Sequence, residues 1–258
     1  MKAPRVPDLR RRDILKAAGA IIALHPLLLE NVSAATDAGK IKIGVIGSGN
    51  VGSALGRVWA NAGHQVMFAS RNLEQDKQLA AAIGANARAG TPAEAATQSD
   101  ALLLAVHWSR IDDVLKQAGD LSGKVILTCS LPMNADTTKL ILGTTTSGAE
   151  QLATKIPQAK VVCAFNSVPS EVLFDVFEAK RNATRPSPIG PSLVYCGDDK
   201  SAKNVAAKLI EDVGFHPVDC GPLRIARYTE PFALLVGQLA YEGEGGPELA
   251  YRFERLGK

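Results

Sequence analysis

Three glycines in a short loop carry the strongest chemical signal in this sequence. Residues 47–52 read Gly-Ser-Gly-Asn-Val-Gly, which fits the pattern G-x-G-x-x-G. Gly47 permits a tight turn, Gly49 lets the backbone approach a pyrophosphate, and Gly52 lets the following helix lie close to a sheet. The helix N-terminus offers free N–H groups and a positive dipole end, so a diphosphate binds there without a lysine. The candidate pyrophosphate-binding residues are Gly47, Ser48, Gly49, Asn50, Val51 and Gly52.

A second polar pair follows about 20 residues past the glycines, where an NAD site usually has Asp or Glu to hold both ribose hydroxyls. This sequence has Ser70 and Arg71 instead. A carboxylate repels a 2′-phosphate, whereas a hydroxyl and a guanidinium fork bind it through charge-assisted hydrogen bonds. We therefore expect NADP(H) as the cofactor, with Ser70 and Arg71 on the 2′-phosphate. The alternative is that Arg71 is a solvated cation after a strand.

The elements around the glycines fit a dinucleotide-binding unit. Residues 41–46 are apolar and rich in β-branched side chains, which predicts a buried strand. Residues 53–62 predict a helix that ends at Gly63, and residues 65–69 predict a second strand. Strand, glycine turn, helix and strand thus occupy about the 30 residues that such a unit needs. The predicted fold class is α/β, a Rossmann doubly wound, mostly parallel sheet with a small C-terminal α/β extension.

Three segments are expected along the chain. Residues 1–34 are a signal peptide, residues 40–168 an NADP-binding Rossmann domain, and residues 169–258 a small C-terminal α/β extension with closing helices. Further strands are predicted at residues 87–89, 101–106, 124–129, 160–165, 193–196 and 216–219, and further helices at 73–83, 92–97, 149–155 and 201–213.

The crevice between neighbouring strands is the expected ligand site. In the Rossmann order the fourth strand, residues 101–106, lies beside the first, and a ligand binds outside their carboxyl ends. Val106, His107 and Trp108 fall at this place. We expect Trp108 to line the cofactor cleft rather than to pack in the ordinary way. For His107, a donor near the nicotinamide and a histidine that merely ends a strand are equally open.

The helix after Trp108 has a recognisable start. Ser109-Arg110-Ile111-Asp112 fits a capping box, which predicts Ser109 as the N-cap. A hydrophobic staple would pair Trp108 with the fourth helical position, but that residue is Asp113. Trp108 therefore lacks this structural role, which favours the cleft.

Asn166 is a polar residue directly after the predicted strand 160–165. Its amide could bind the nicotinamide or a substrate, and the alternative is a turn-forming asparagine. Residues 180–191 predict a loop with three cations, Lys180, Arg181 and Arg185. A solvated connector is favoured there over a mobile cover for the cleft.

The N-terminal residues resemble an export signal. Arg11 to Lys16 fit the twin-arginine pattern R-R-x-hydrophobic-Leu-Lys, and an apolar run follows from Ala17 to Leu29. That run is shorter than the roughly 20 residues that span a bilayer. Cleavage is most simply placed after Ala34. The expected localisation is therefore periplasmic through the Tat pathway, with an uncleaved anchor, a misplaced start and a cytoplasmic protein as alternatives.

Charge and composition limit the partners. The net charge is +3, and residues 1–34 alone contribute +3, so the mature chain is near neutral. A nucleic-acid partner would need a clustered basic face, so none is expected. We expect a small-molecule substrate, no stable membrane span after signal removal, and no metal site. The closing apolar run, residues 232–236, packs on the core or on a second subunit of a homodimer.

The four cysteines are Cys129, Cys163, Cys196 and Cys220. None is paired as C-x-x-C or lies near a histidine at metal-ligand spacing. All four occur in apolar strand-like runs or at their ends. Buried, reduced thiols are therefore favoured over disulfides.

Taken together, these motifs resemble the NADP-dependent reductases of the deazaflavin coenzyme F420. The shared features span nearly the whole mature chain and keep the family's order. They are Gly47-Ser48-Gly49-Asn50-Val51-Gly52, Ser70-Arg71, Trp108, Asp120-Leu121-Ser122-Gly123-Lys124, Ala164-Phe165-Asn166-Ser167-Val168-Pro169, Gly221-Pro222-Leu223, Ala226-Arg227 and Glu230-Pro231.

The resemblance implies that NADP is bound by Gly49, Asn50, Val51, Ser70 and Arg71. It also implies hydride exchange between the nicotinamide and a deazaflavin or flavin ring stacked against it. Such a transfer needs juxtaposition and exclusion of water more than a side-chain acid or base. No catalytic side chain is therefore assigned.

Two other classes of function are open. One is a non-catalytic NADP-binding sensor or partner protein, and the other is an NADPH-dependent reductase of another small substrate or of a ferric chelate. A β-hydroxyacid or pyrroline-carboxylate reductase would need a long all-helical C-terminal domain. Fewer residues than that follow the last predicted strand, which ends at Asp219.

Overall fold

The computed structural model describes residues 39–182 and 190–256. From Ile41 onward the chain forms one compact unit. The predicted signal peptide and most of the predicted loop at 180–191 lie outside the described residues. The β strands before and after residue 168 belong to one sheet. The domain boundary expected near that residue stays a prediction.

The core of the fold is an eight-stranded sheet in the order β3-β2-β1-β4-β5-β6-β7-β8. All neighbouring strands run parallel except β6 and β7, which are antiparallel. This confirms the predicted α/β fold. The strands are β1 (Lys42–Ile46), β2 (Gln65–Ala69), β3 (Ala87–Ala89), β4 (Ala101–Leu104), β5 (Val125–Thr128), β6 (Lys160–Cys163), β7 (Ser192–Gly197) and β8 (His216–Asp219).

Helices connect the strands and cover both faces of the sheet. They are α1 (Asn50–Asn61), α2 (Leu73–Ile83), α3 (Pro92–Gln98), α4 (Ile111–Ala118), α5 (Gly148–Lys155), α6 (Glu171–Arg181), α7 (Lys200–Val213) and α8 (Ala226–Tyr241). Among the described residues, no helix combines the length and the apolar character that crossing a membrane requires.

Two helix starts differ from the sequence prediction. Helix α1 begins at Asn50 rather than at residue 53, because the last residues of the glycine motif already form its first turn. The predicted capping box at Ser109 is wrong. Residues Trp108–Arg110 form one turn of 3-10 helix, so α4 begins only at Ile111, and its N-cap Arg110 makes no side-chain cap bond.

Apolar side chains on the two faces of the sheet form two core clusters. In the first, Trp59 of α1 is fully buried and packs edge-on against Phe165, with ring centroids 5.5 Å apart. Its indole Nε1 donates a hydrogen bond to the Leu209 carbonyl of α7 at 3.1 Å. This contact fixes the helix that follows the glycine loop to the C-terminal part of the sheet.

Helix α8 is joined to α5 by two acidic contacts. The Glu230 carboxylate, 1% exposed, accepts hydrogen bonds from the N–H groups of Gly148 and Ala149, both at 2.9 Å. Burial raises the pKa of Glu230 to about 7, even though these two N–H groups favour the charged form. Nearby, Arg227 forms a bidentate ion pair with Glu150, at 2.7 and 2.8 Å.

Glu230 is expected to make folding stability depend on pH near neutrality. Its pKa is raised in the folded chain above the ordinary value of 4.5, so its contribution is fully present below pH 4.5 and is lost as the pH rises to about 7. The loss should be on the order of 3 kcal/mol. Urea unfolding of the wild type and of Glu230→Gln between pH 5 and 8 measures it. The variant should lose most of this pH dependence.

The matched control is Glu242→Gln, which removes an exposed carboxylate at the other end of α8. It should keep the wild-type profile. A Glu230→Gln profile that stays as steep as that of the wild type would contradict the assignment.

Candidate functional site

A cavity of about 710 Å³ opens at the carboxyl edge of the sheet. The ends of four adjacent strands reach it, through Ile46 at the end of β1, Ala69 at the end of β2, Val106 after β4 and Cys129 after β5. This is the crevice that the strand order predicts for a ligand. Of the twelve predicted site residues, ten line the cavity: Gly47, Ser48, Gly49, Asn50, Val51, Ser70, Arg71, Val106, His107 and Trp108.

The three motif glycines have three different surroundings. A Cβ on Gly47, whose φ is +103°, would lie 2.2 Å from the Ala105 carbonyl oxygen. A Cβ on Gly52 would lie 1.9 Å from the Gly47 carbonyl oxygen. A Cβ on Gly49 would meet nothing within 4 Å. Gly47 and Gly52 are therefore required by the fold, and Gly49 leaves open space at the cavity.

The start of α1 suits an anion. Gly49 is its N-cap and provides no side-chain cap bond, and Asn50 and Val51 of the first turn line the cavity. The first N–H groups of a helix have no partner within the helix, and the dipole adds positive potential. A pyrophosphate fits this cradle, which an additional Cβ at Gly49 would fill.

Ser70 and Arg71 lie at the cavity edge just after β2. The Ser70 Oγ accepts a hydrogen bond from the Asn72 N–H at 3.1 Å, so its own hydroxyl hydrogen stays available to a ligand. Arg71 is exposed and makes no ion pair or hydrogen bond with any other residue that the structure describes. An unpaired guanidinium beside a free hydroxyl fits a 2′-phosphate.

His107 and Trp108 form the wall at the end of β4. His107 is exposed, whereas Trp108 is partly buried and packs against the second core cluster while it lines the cavity. The Trp108 side chain therefore both lines the cavity and packs against the core, so the two roles are not alternatives.

Two predicted site residues lie outside the cavity lining. Gly52 has the packing role expected of the third glycine. Asn166 donates a hydrogen bond from Nδ2 to the Cys163 Sγ at 3.2 Å, while its Oδ1 is buried and unpaired. The preceding Phe165 has a φ of +64°, a left-handed conformation that is rare for a bulky residue. A ligand role for Asn166 therefore stays a prediction.

A further part of the cavity wall, which follows β5, was not predicted from the sequence. After β5 the chain lines the cavity with Cys129, Ser130, Leu131, Met133, Asn134, Ala135 and Thr137. Ser130 is fixed there because its Oγ donates to the Val106 carbonyl at 2.7 Å. The position of β5 beside β4 was a usable signal, since both carboxyl ends must open on the same crevice.

The cavity offers no activated thiol. Burial raises the pKa of Cys129 to about 12, so its thiol stays protonated and a poor nucleophile. All four cysteines are free, and Cys163 and Cys196 are buried. Within residues 39–182 and 190–256, no group of three or more His, Cys, Asp or Glu side chains is arranged to hold a metal ion.

Comparisons with known proteins show similarity to NADP-dependent oxidoreductases. The family model "NADP oxidoreductase coenzyme F420-dependent" matches residues 42–132. An F420-dependent NADP reductase of Methanocaldococcus jannaschii is 28% identical over 160 residues, which cover 59% of this chain and 68% of that protein. Metalloreductase STEAP3 of Rattus norvegicus is 29% identical over 193 residues, 75% of this chain. The aligned part is only 36% of that metalloreductase.

A solved structure from Arthrobacter sp. FB24, described as a candidate F420-dependent NADP-reductase, has the same fold. Its TM-score is 0.72 at 23% identity, and the alignment covers 83% of this chain and all of that one. The comparisons support an enzyme of the NADP-dependent oxidoreductase class, and they agree with the likeness to the coenzyme F420-dependent family over the cofactor-binding part. They leave the hydride acceptor open.

Two alanine substitutions separate cofactor binding from folding. Gly49→Ala places its methyl group in open space, so its melting temperature should match the wild type while NADPH binding weakens by about tenfold or more. Gly52→Ala forces the backbone apart at Gly47 and should cost about 1–3 kcal/mol of stability. Thermal unfolding and NADPH titration of both variants test this. A Gly49→Ala protein that binds like the wild type would refute the proposed cradle.

Proposed function

We propose that this chain binds NADP(H) in the cavity and transfers a hydride between NADPH and a deazaflavin, coenzyme F420, or a flavin-like acceptor. The observation that carries the proposal is the pairing of an open glycine cradle at Gly49 with an unpaired guanidinium at Arg71 on one cavity edge. These features suit the pyrophosphate and the 2′-phosphate of one NADP molecule. The family model over residues 42–132 supports the same cofactor.

The residues of the chain would contribute binding, orientation and exclusion of water. The cofactor supplies the hydride, so no side-chain acid or base has to form a new bond. Trp108 after β4 and Met133 after β5 both line the cavity. Two large, weakly polar side chains suit a planar ring system, which must lie parallel to the nicotinamide for transfer.

A ferric chelate is the second candidate acceptor, supported by the similarity to Metalloreductase STEAP3. A hydride carries two electrons and Fe³⁺ accepts one. A flavin that receives the hydride and releases single electrons would therefore have to stand between them. This candidate shares the NADPH site and differs only in the acceptor.

The first experiment is a two-step assay on protein that starts at Ala35. NADPH and NADH are titrated separately, and NADPH-loaded protein is then mixed with deazaflavin, FMN or a ferric chelate while the nicotinamide absorbance is followed. We expect tighter NADPH binding and oxidation by deazaflavin. Oxidation only by FMN or iron would move the assignment to a flavin or metal reductase. Tight NADPH binding without any turnover would support a non-catalytic sensor instead.

Arg71→Ala should remove most of the preference for NADPH over NADH. The 2′-phosphate loses a bidentate partner, so NADPH binding should weaken by about ten- to a hundredfold while NADH binding changes little. Arg57→Ala is the matched control, because Arg57 is an exposed arginine of α1 that does not line the cavity. Equal losses for both cofactors would show that Arg71 does not bind the 2′-phosphate.

Two further points belong to the proposal. We propose export through the twin-arginine pathway, which cell fractionation of the native host can check.

We also propose a homodimer formed by α8, because Leu235 and Leu239 are 54% and 53% exposed on one side of that helix. Analytical ultracentrifugation distinguishes this from a monomer.

A further inference from the structure

Asp76 is a buried carboxylate that the cofactor site described above does not use. It lies in the first turn and a half of α2 and is 0% exposed. Its Oδ1 accepts a hydrogen bond from the Ser48 Oγ at 2.5 Å. Its Oδ2 is buried and has no hydrogen-bond partner. The Ser48 hydroxyl is thus the main polar contact of a carboxylate removed from water.

Stability alone gives little reason for this arrangement. A buried carboxylate with an unsatisfied oxygen costs desolvation energy that one hydrogen bond repays only in part. The α2 dipole favours an acid near the N-terminus, but the exposed Glu74 of the first turn gains the same benefit at no desolvation cost. The contact is better explained as a device that fixes the position of α2 relative to the glycine loop.

The contact joins the two elements that hold the cofactor phosphates. Ser48 belongs to the glycine loop after β1. On the other side, Asn72 binds Ser70 through its N–H and caps α2, because its Oδ1 accepts from the Gln75 N–H at 3.1 Å. The segment with Ser70 is therefore fixed to the first turn of α2, and Asp76 fixes that turn to the glycine loop.

We propose that Asp76 is a positioning residue for NADP(H): through Ser48 it sets the separation between the glycine loop and the Ser70–Arg71 pair. The inference rests on the proposed function. A ligand that spans both elements, as NADPH does, benefits from a fixed separation, since no binding energy is used to bring the two elements into place. A ligand that engages only one element does not.

A double-mutant cycle with three ligands tests this. Ser48→Ala, Asp76→Ala and the double variant are titrated with NADPH, with NADH, which lacks the 2′-phosphate, and with adenosine 2′-phosphate, which lacks the pyrophosphate. Asp76→Ala should weaken NADPH binding by about tenfold and change the other two affinities by less than about threefold. Ser48→Ala alters the glycine loop itself, so its test is the preference for NADPH over NADH, which should fall by about as much as in Asp76→Ala. The double variant should bind NADPH no worse than either single variant, because both break the same link.

Two controls exclude a general effect on folding or charge. Glu74→Ala removes an exposed acid from the same helical turn and should leave all three affinities unchanged. Asp76→Asn keeps an oxygen opposite Ser48 and should retain the preference for NADPH. Equal losses for NADPH and NADH, additive losses in the double variant, or a loss in Asp76→Asn as large as in Asp76→Ala would each overturn the inference.

The cycle also separates this inference from the proposed function. If the wild-type protein binds NADPH no better than NADH, the cofactor assignment itself fails. If the wild type selects NADPH and the variants keep that ratio, only the role of Asp76 is refuted.

Discussion

The structure depends on the close backbone contact between Gly47 and Gly52. The Gly47 carbonyl oxygen lies so near Gly52 that a Cβ there would be 1.9 Å away. This contact sets the angle at which α1 leaves β1 and so directs the open helix N-terminus to the carboxyl edge of the sheet. It also brings Trp59 against Phe165 and the Leu209 carbonyl, which ties α1 to the opposite half of the sheet. Cofactor cradle and core packing therefore share one backbone constraint.

The features that could be predicted from the sequence are those that local chemistry determines. The bounds of β2 and α2 agree with the prediction, because a short apolar run bounds the strand and a glycine ends the helix, which leaves few alternatives there. Ser70 and Arg71 could be assigned to the cavity edge because the second strand must end beside the glycine loop in this fold. The start of α4 could not be predicted, because Trp108–Arg110 form a 3-10 turn where the sequence indicates a capping box at Ser109.

The missed features depend on contacts between distant parts of the chain. Asp76 lies 28 residues from Ser48, and nothing in the periodicity of α2 distinguishes it from an ordinary first-turn acid. The Glu230 contact with the start of α5 joins residues more than 80 positions apart. In each case a buried carboxylate has backbone or hydroxyl donors from another element, which a pattern of hydrophobic and polar residues does not encode.

The glycine-loop side of the cavity and the wall after β5 have different kinds of support. The family model ends at residue 132, whereas Met133, Asn134, Ala135 and Thr137 continue along the cavity wall. The glycine loop, Ser70 and Arg71 all fall inside the matched segment, so likeness and geometry agree on NADP(H) there. Beyond residue 132 the wall belongs to a long connection between β5 and α5, and loops of this length vary more readily than the strands that carry them. The wall after β5 is therefore the part of the cavity in which proteins that share one cofactor-binding fold can differ most in function.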